Sequence, residues 1–328
     1  MLSNWIPYKL EIIDLEVRVL WLDLEDRFIA EPFFDETILE NRICAKNTGR
    51  GRLVSQSDIR SLCEWASRIE ASSVTVFIFH VSRCGSTLLS QCLVADQKYV
   101  VIPEAPLLDE ILQMDEVLLP KGISKEQFFK AALIFLGRKR LGQEQLFIKL
   151  DSWHIHKYNL LRGWFSNTPF YFLSREPKAI IQSHEKRRGI HMIPGYLSEK
   201  ANPVQVHPGH YADFSLFTAD VLSSFYKGLI DVRLQQNPLD SFYDYAWGMM
   251  GLLADFDAHV GTTLSASEAA LARLNRHSKY PDQVFAENEG FRTTDLYKHC
   301  VETYKVFRSG ANRQDIGQGR DVMQRERI

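Results

Sequence analysis

Residues 74 to 91 read Val-Thr-Val-Phe-Ile-Phe-His-Val-Ser-Arg-Cys-Gly-Ser-Thr-Leu-Leu-Ser-Gln. An apolar run rich in β-branched and aromatic residues gives way to small polar residues around Gly85, and then to a helical pattern. That is a buried strand feeding a helix through a tight turn. The turn Ser82-Arg83-Cys84-Gly85-Ser86-Thr87 aims the free N–H groups of the first helical turn, and the positive end of the helix dipole, at one point. Arg83 adds a fixed charge there, and Ser86 and Thr87 add hydroxyl donors. The segment therefore predicts an anion site that takes a phosphorylated ligand.

The rest of the chain repeats the alternation. Apolar strands are expected at 74–80, 99–102, 145–150, 169–174 and 241–245, and helices near 87–95, 105–114, 125–140, 153–165 and 177–187. Short all-apolar strands separated by helices make an α/β fold with a buried parallel sheet. Ligands of such sheets bind beyond the carboxyl ends of the strands. Arg83, Glu104, Lys149, Asp151 and Arg175 all follow strand ends directly, so one shared site is expected.

Three phosphate-binding patterns bear on the turn. The nucleotide-triphosphatase loop is G-x-x-x-x-G-K-[ST], but here Ser86 follows Gly85 and His80 stands nearest the place of the opening glycine. In that reading Asp151 would be the magnesium-binding acid. A cysteine-phosphatase loop is C-x-x-x-x-x-R, whereas Arg83 directly precedes Cys84. The helix N-terminus and Arg83 would nonetheless lower the Cys84 thiol pKa. The third pattern carries Lys or Arg, a small residue, Gly, then Ser/Thr-Thr, and it matches Arg83 to Thr87.

A second segment reads Pro-Phe-Tyr-Phe-Leu-Ser-Arg-Glu-Pro-Lys-Ala-Ile-Ile-Gln-Ser over 169–183. An apolar strand ends in Arg175, Pro177 opens a helix, and Ser183 lies on that helix. The two motifs together, in this order, resemble the 5′-phosphosulfate and 3′-phosphate motifs of the sulfotransferases. The likeness extends to Phe147-Ile148-Lys149-Leu150-Asp151, to the late strand Asp240 to Tyr245, and to His277-Ser278-Lys279-Tyr280-Pro281 in place of a basic loop closing over the donor. It covers roughly residues 72 to 290.

The resemblance implies a P-loop-like three-layer α/β/α domain that moves a sulfuryl group from 3′-phosphoadenosine 5′-phosphosulfate to a hydroxyl or amine, with no metal. Arg83 and the N–H groups of Cys84, Gly85, Ser86, Thr87 and Leu88 would meet the 5′-phosphate, with Lys149 beside them. Arg83 takes the place of the lysine of many members, as in the tyrosylprotein branch. Arg175 and Ser183 would hold the 3′-phosphate, helped by Arg187 or Arg188. The general base is open among Glu104, Asp151 and His154, in that order of preference. The tyrosylprotein branch uses a glutamate from the region of Glu104, while Asp151 stands where the cytosolic branch has a histidine. Two other readings stay open: a P-loop nucleotide phosphotransferase or hydrolase, and a catalytically silent binding protein of the same family.

Residues 1–70 lie outside the resemblance and are read as a small α+β extension packed on the main domain, which spans 71–308. A hairpin is expected over 15–34 with its turn at Glu25-Asp26, then a short helix over 36–43 and a helix capped by Ser57. Residues 188–212, broken by Gly189, Pro194, Gly195, Pro203, Pro208 and Gly209, are expected to form an acceptor lid whose His191, His207 and His210 are solvated loop residues. The aromatics Phe214, Phe217, Phe225 and Tyr226 are expected in a core helix, and residues 309–328 in a polar tail. A formal net charge of −2 argues against a nucleic-acid partner that needs a broad basic surface. No apolar run approaches a bilayer span, and the five cysteines include no C-x-x-C pair. Reduced thiols in a cytoplasmic setting follow, with no membrane partner.

Overall fold

In the computed structural model residues 4–49, 55–139, 142–274 and 297–310 are described. The chain begins with strands β1 (Trp5–Ile13) and β2 (Glu16–Asp23), helix α1 (Phe34–Asn47), strand β3 (Ser55–Asp58) and helix α2 (Ile59–Ala66). Strand β4 (Val74–His80), helix α3 (Ser86–Val94), strand β5 (Tyr99–Pro103) and helices α4 (Pro106–Gln113) and α5 (Lys125–Leu136) follow. Next come β6 (Gln145–Lys149), α6 (Tyr158–Trp164), β7 (Phe170–Ser174) and α7 (Pro177–Lys186). The chain then runs through α8 (Pro208–Ala212), α9 (Phe214–Leu234), β8 (Asp240–Asp244), α10 (Met249–Val260) and α11 (Glu268–Leu274). A last helix occupies 298–310.

Strands β4 to β8 form one parallel sheet in the order β5-β6-β4-β7-β8. Helices flank it, giving the three-layer α/β/α arrangement. β5 and β7 are buried along their whole length, which is why those segments read as unbroken apolar runs rather than alternating ones. Across the sheet, Phe79 stacks on Phe172 at 4.8 Å and Phe172 on Phe242 at 4.9 Å, which ties β4, β7 and β8 together by their side chains. Helix α5 starts at a capping box between Ser124 and Gln127 and stops at Gly137, short of the expected residue 140. A Cβ on Gly137 would come within 2.2 Å of the Leu146 side chain, so a larger residue at this helix end would have to displace that side chain of β6. The helix expected over 153–165 is divided into a 3-10 turn, Ser152–Lys157, and α6.

The N-terminal residues form an antiparallel sheet β1-β2-β3. The hairpin turn lies at Asp14 and Leu15, both with left-handed φ (50° and 67°), not at Glu25-Asp26. β1 is irregular between Pro7 and Lys9, and that break hid its alternation from a periodicity reading. Helix α2 is capped by Asp58, which accepts the Ser61 N–H at 2.6 Å, rather than by Ser57. Ser57 instead accepts the Trp21 indole N–H at 2.9 Å. The same indole packs edge-on to Phe135 of α5, 4.8 Å between centroids, and the Gln91 amide of α3 donates to the Ala30 carbonyl at 3.1 Å. The two sheets share one hydrophobic core.

Between α7 and α9 the chain is irregular, as expected, but its histidines are not all solvated. His210 is fully buried, donates from Nε2 to Asp220 at 2.8 Å and meets Phe217 edge-on. Phe217, Phe225 and Tyr226 are core residues of α9. The segment 277–281 and the tail from 311 lie outside the described residues.

Candidate functional site at the carboxyl ends of the strands

The loop between β4 and α3 holds three residues with left-handed backbone: Ser82 (φ 73°), Arg83 (φ 50°) and Gly85 (φ 86°). For the two non-glycine residues this costs about 1–2 kcal/mol each, a cost that persists only where surrounding contacts over-determine the turn. Those contacts are visible. The Ser82 N–H donates to His80 Nδ1 at 3.1 Å, and Ser82 Oγ meets His184 Nε2 of α7 at 3.1 Å. The Arg175 guanidinium, just past β7, donates to the Arg83 carbonyl at 3.0 Å. A Cβ on Gly85 would sit 3.1 Å from Met249 Sδ and 3.2 Å from the Tyr245 ring. Gly85 is the N-cap of α3, so the first-turn N–H groups of residues 86–88 open toward this loop.

The cations converge as the sequence implied. Arg83 donates to the Arg187 carbonyl at 2.6 Å. Burial and the neighbouring Arg187 both disfavour its charge, against support from Glu104. A guanidinium in such surroundings is one that an anionic ligand would stabilise. Arg175 lies 4.2 Å above the Tyr245 ring, and the Tyr226 hydroxyl donates to its carbonyl. Ser183 lies half-buried on α7, next to His184. Arg188 donates to the Phe214 carbonyl at 3.0 Å and to Thr218 Oγ1 at 2.7 Å, which anchors the insertion to α9. Cys84 does not fit the reactive-thiol expectation. It is fully buried, and burial pushes its thiol up to about 11 despite nearby backbone N–H groups, Lys149 and Arg175.

Lys149 ends β6 with a side chain wholly shielded from solvent. Its ammonium donates to Glu104 Oε1 and, at 3.3 Å, to Thr87 Oγ1, and it faces the Phe33 ring at 5.3 Å. Glu104, past β5, has left-handed backbone (φ 55°) and also meets His80 Nε2 at 3.1 Å. A backbone N–H can only donate, so the bond from Ser82 makes His80 Nδ1 an acceptor and puts its proton on Nε2, facing Glu104. Ser152 Oγ approaches the same Nδ1 at 3.2 Å. Burial alone would raise the Glu104 carboxyl, but Lys149 and His80 outweigh it and hold the group well below the usual carboxylate range.

Asp151 behaves in the opposite way. Burial, then the charges of Glu104 and Asp109, push its carboxyl well above the usual range. His154 is buried, its Nδ1 accepts the Asp151 N–H at 3.2 Å, and its Nε2 donates to Asp109 Oδ1 at 2.8 Å. Trp153 Nε1 reaches the same oxygen at 2.6 Å. Ligand-type atoms of Asp109, Asp151 and His154 lie within 4.8 Å of one another.

Sequence reasoning missed His80, Phe33, Asp35 and Asp109. A lone polar residue closing the apolar strand β4 was a usable signal for His80. Nothing local marked Asp109, whose role arises from α4 packing on the turn after β6. Phe33 and Asp35 come from the N-terminal unit, which the motifs do not reach.

Fold and site together define a class: a parallel α/β domain with a strand-to-helix loop that opens first-turn N–H groups, and with cations at the strand ends. No family model matches the sequence, and no curated protein does. Among solved structures, the sulfotransferase domain of the Synechococcus PCC 7002 olefin synthase superposes with a TM-score of 0.45 at 14% identity, covering 73% of this chain and 95% of that one. A sulfotransferase from Alicyclobacillus acidocaldarius gives 0.40 at 13% identity, over 74% and 94%. The structural neighbours are thus sulfotransferase domains, and neither assigns a role to a residue of this chain. Among the described residues no helix is long and apolar enough to cross a membrane.

Proposed function

We propose that this protein is a sulfotransferase that moves a sulfuryl group from 3′-phosphoadenosine 5′-phosphosulfate to a hydroxyl or amine. The observation that supports it best is the joining of the two motifs. Arg175 donates to the carbonyl of Arg83, so the 3′-phosphate and 5′-phosphosulfate elements meet in one place, as a donor with two phosphate ends requires.

In this reading Arg83 and the first-turn N–H groups of α3 bind the 5′-phosphosulfate and stabilise charge on the leaving phosphate. Arg cannot give up a proton, so its part is electrostatic. Lys149, held by Glu104 and Thr87, is the second cation for that charge. Arg175 and Ser183 bind the 3′-phosphate. For the base, electrostatics favour Asp151 over Glu104. A carboxylate locked to a lysine and a histidine is a weak proton acceptor, whereas one raised by burial accepts a proton nearer neutral pH. Glu104 then serves to fix Lys149 and His80. Transfer should rise with pH as Asp151 ionises, and Asp151→Asn should abolish that rise while sparing donor binding.

Calorimetric titration with 3′,5′-adenosine bisphosphate, with ATP–Mg²⁺ alongside, tests the proposal. Micromolar binding of the bisphosphate and none of ATP is the expected result. A second reading has one observation behind it: Asp109, Asp151 and His154 are close enough to hold a divalent ion. Binding of ATP–Mg²⁺ alone would favour that nucleotide phosphotransferase and overturn the first reading.

A further inference from the structure

A cleft of about 570 Å³ lies between β1 and α4, a volume in the range of small-molecule sites. Leu10, Ile12, Met114 and Leu118 form its apolar wall, and Asp109, Glu110 and Asp115 its charged one. Two segments line it and a third bonds to them. The N-terminal unit supplies β1, whose Leu10 N–H donates to Glu110 Oε2 at 2.5 Å. The domain supplies α4. The irregular insertion reaches two of its lining side chains, Ser198 Oγ donating to Gln113 Oε1 at 2.9 Å and Lys200 pairing with Asp115 at 2.5 Å. At its inner end the Asp109 carboxylate lies within 4.8 Å of that of Asp151, the residue just past the β6 end that carries Lys149. The cleft thus borders Asp151, the base of the proposed transfer.

Its charge is one-sided. None of the lining residues is basic, and Lys200 neutralises only Asp115. Asp35, from the first turn of α1, lies close enough to raise the Asp151 and Glu110 carboxyls, and is itself raised by burial and then by Glu104. The donor loop across the sheet carries the opposite sign.

We propose that this cleft is the acceptor site, and that the acceptor has an apolar body bearing a protonated amine, with the N-terminal unit serving as its recognition wall. The proposal rests on the sulfuryl-transfer reading and adds the substrate class to it. Apolar surface is buried against Leu10, Ile12 and Met114, while the cation competes with Lys200 for Asp115 and is drawn to Glu110 as that carboxyl ionises above about pH 7.

Three probes share one phenolic body and differ in charge: tyramine, tyrosol and 4-hydroxyphenylacetate. Their affinities for the full chain are measured by calorimetry and by ligand-observed NMR at low salt. Tyramine should bind about tenfold tighter than 4-hydroxyphenylacetate, with tyrosol between. Both Glu110→Gln and the more exposed Asp115→Asn should shrink that ratio. Equal binding, preference for the anion, a ratio unmoved in both variants, or binding of none of the three would each overturn the proposal. The bisphosphate titration in the same samples separates the two ideas. Loss of bisphosphate binding with the tyramine preference intact sinks the donor reading alone, and the reverse sinks the cleft alone.

Discussion

The two halves of the sheet's carboxyl edge carry opposite charge. On the side of β4 and β7 stand Arg83 and Arg175, linked through the Arg83 carbonyl. On the side of β5 and β6 stand Glu104, Asp151 and, from the packed helix α4, Asp109 and Glu110. Lys149 and Glu104 meet at the boundary. At the end of the last strand, Asp244 is consumed within the fold, paired with Arg308 at 2.9 Å and bonded to Ser174 and Tyr304. The difference teaches where function is to be sought. Asp244 closes its own account inside the protein, whereas the two halves near β4 and β6 keep like charges together at a cost in self-repulsion. A donor with several negative charges suits one half and an acceptor of the other sign suits the other.

The largest expected effect comes from breaking the boundary pair. Glu104→Gln leaves the buried Lys149 ammonium without its carboxylate, and removing one partner of a buried pair costs about 3–5 kcal/mol. Denaturant unfolding should show that loss, and the double variant Glu104→Gln/Lys149→Met should recover part of it. A double variant no more stable than Glu104→Gln would show that the pair is not what separates the halves. Next in size is Arg175→Ala, which removes a charged donor from the Arg83 carbonyl and, in the proposed function, from the 3′-phosphate. About 3 kcal/mol, or roughly a hundredfold weaker binding of 3′,5′-adenosine bisphosphate, is expected in calorimetry. Unchanged affinity would remove the cationic half from the donor site.

The two halves also differ in how much of them the sequence disclosed. The cationic half was readable because each residue follows its strand directly and the strands are unbroken apolar runs: Val74–His80 and Phe170–Ser174 lie where those runs placed them. The turn geometry was legible too, since Gly85 is required by its left-handed φ and by the approach of Met249 and Tyr245. The acidic half was readable only at Glu104 and Asp151. Its other members come from elements that meet by tertiary packing, Asp35 on α1 and Asp109 and Glu110 on α4, and no spacing along the chain encodes that meeting. The N-terminal hairpin misled for a related reason. With one face against the domain and a register break at Pro7, its burial runs through consecutive residues Ile6, Pro7 and Tyr8 instead of alternating. His210 misled because a loop rich in proline and glycine reads as solvated, while Asp220 on α9 draws this residue inside.

Phe33→Ala tests the wall that the N-terminal unit lends to the boundary. The ring faces the Lys149 ammonium at 5.3 Å, a contact worth about 0.5–2 kcal/mol depending on its shielding from water. Unfolding free energy should fall by that order, and bisphosphate affinity should change by less than in Arg175→Ala. Equal losses in the two variants would mean that the N-terminal unit belongs to the donor half.

The last effect is in the pH dependence of stability, and it addresses the acidic half alone. Burial, against the Leu10 N–H and Lys9 and with help from Asp109 and Asp35, raises the Glu110 carboxyl to about 7. In the unfolded chain the same group titrates near 4.3. The folded state therefore holds the proton more tightly, and its stabilising contribution is complete below about pH 4, then lost as pH rises through 7. Between those limits the native protein binds more protons than the unfolded one, so stability should fall with rising pH. Glu110→Gln carries no titrating proton and should flatten that decline in a series of denaturant titrations from pH 5 to 8. A decline of unchanged slope in the variant would place the proton elsewhere among the carboxylates, with Asp151, also raised by burial and by its acidic neighbours, as the next residue to substitute.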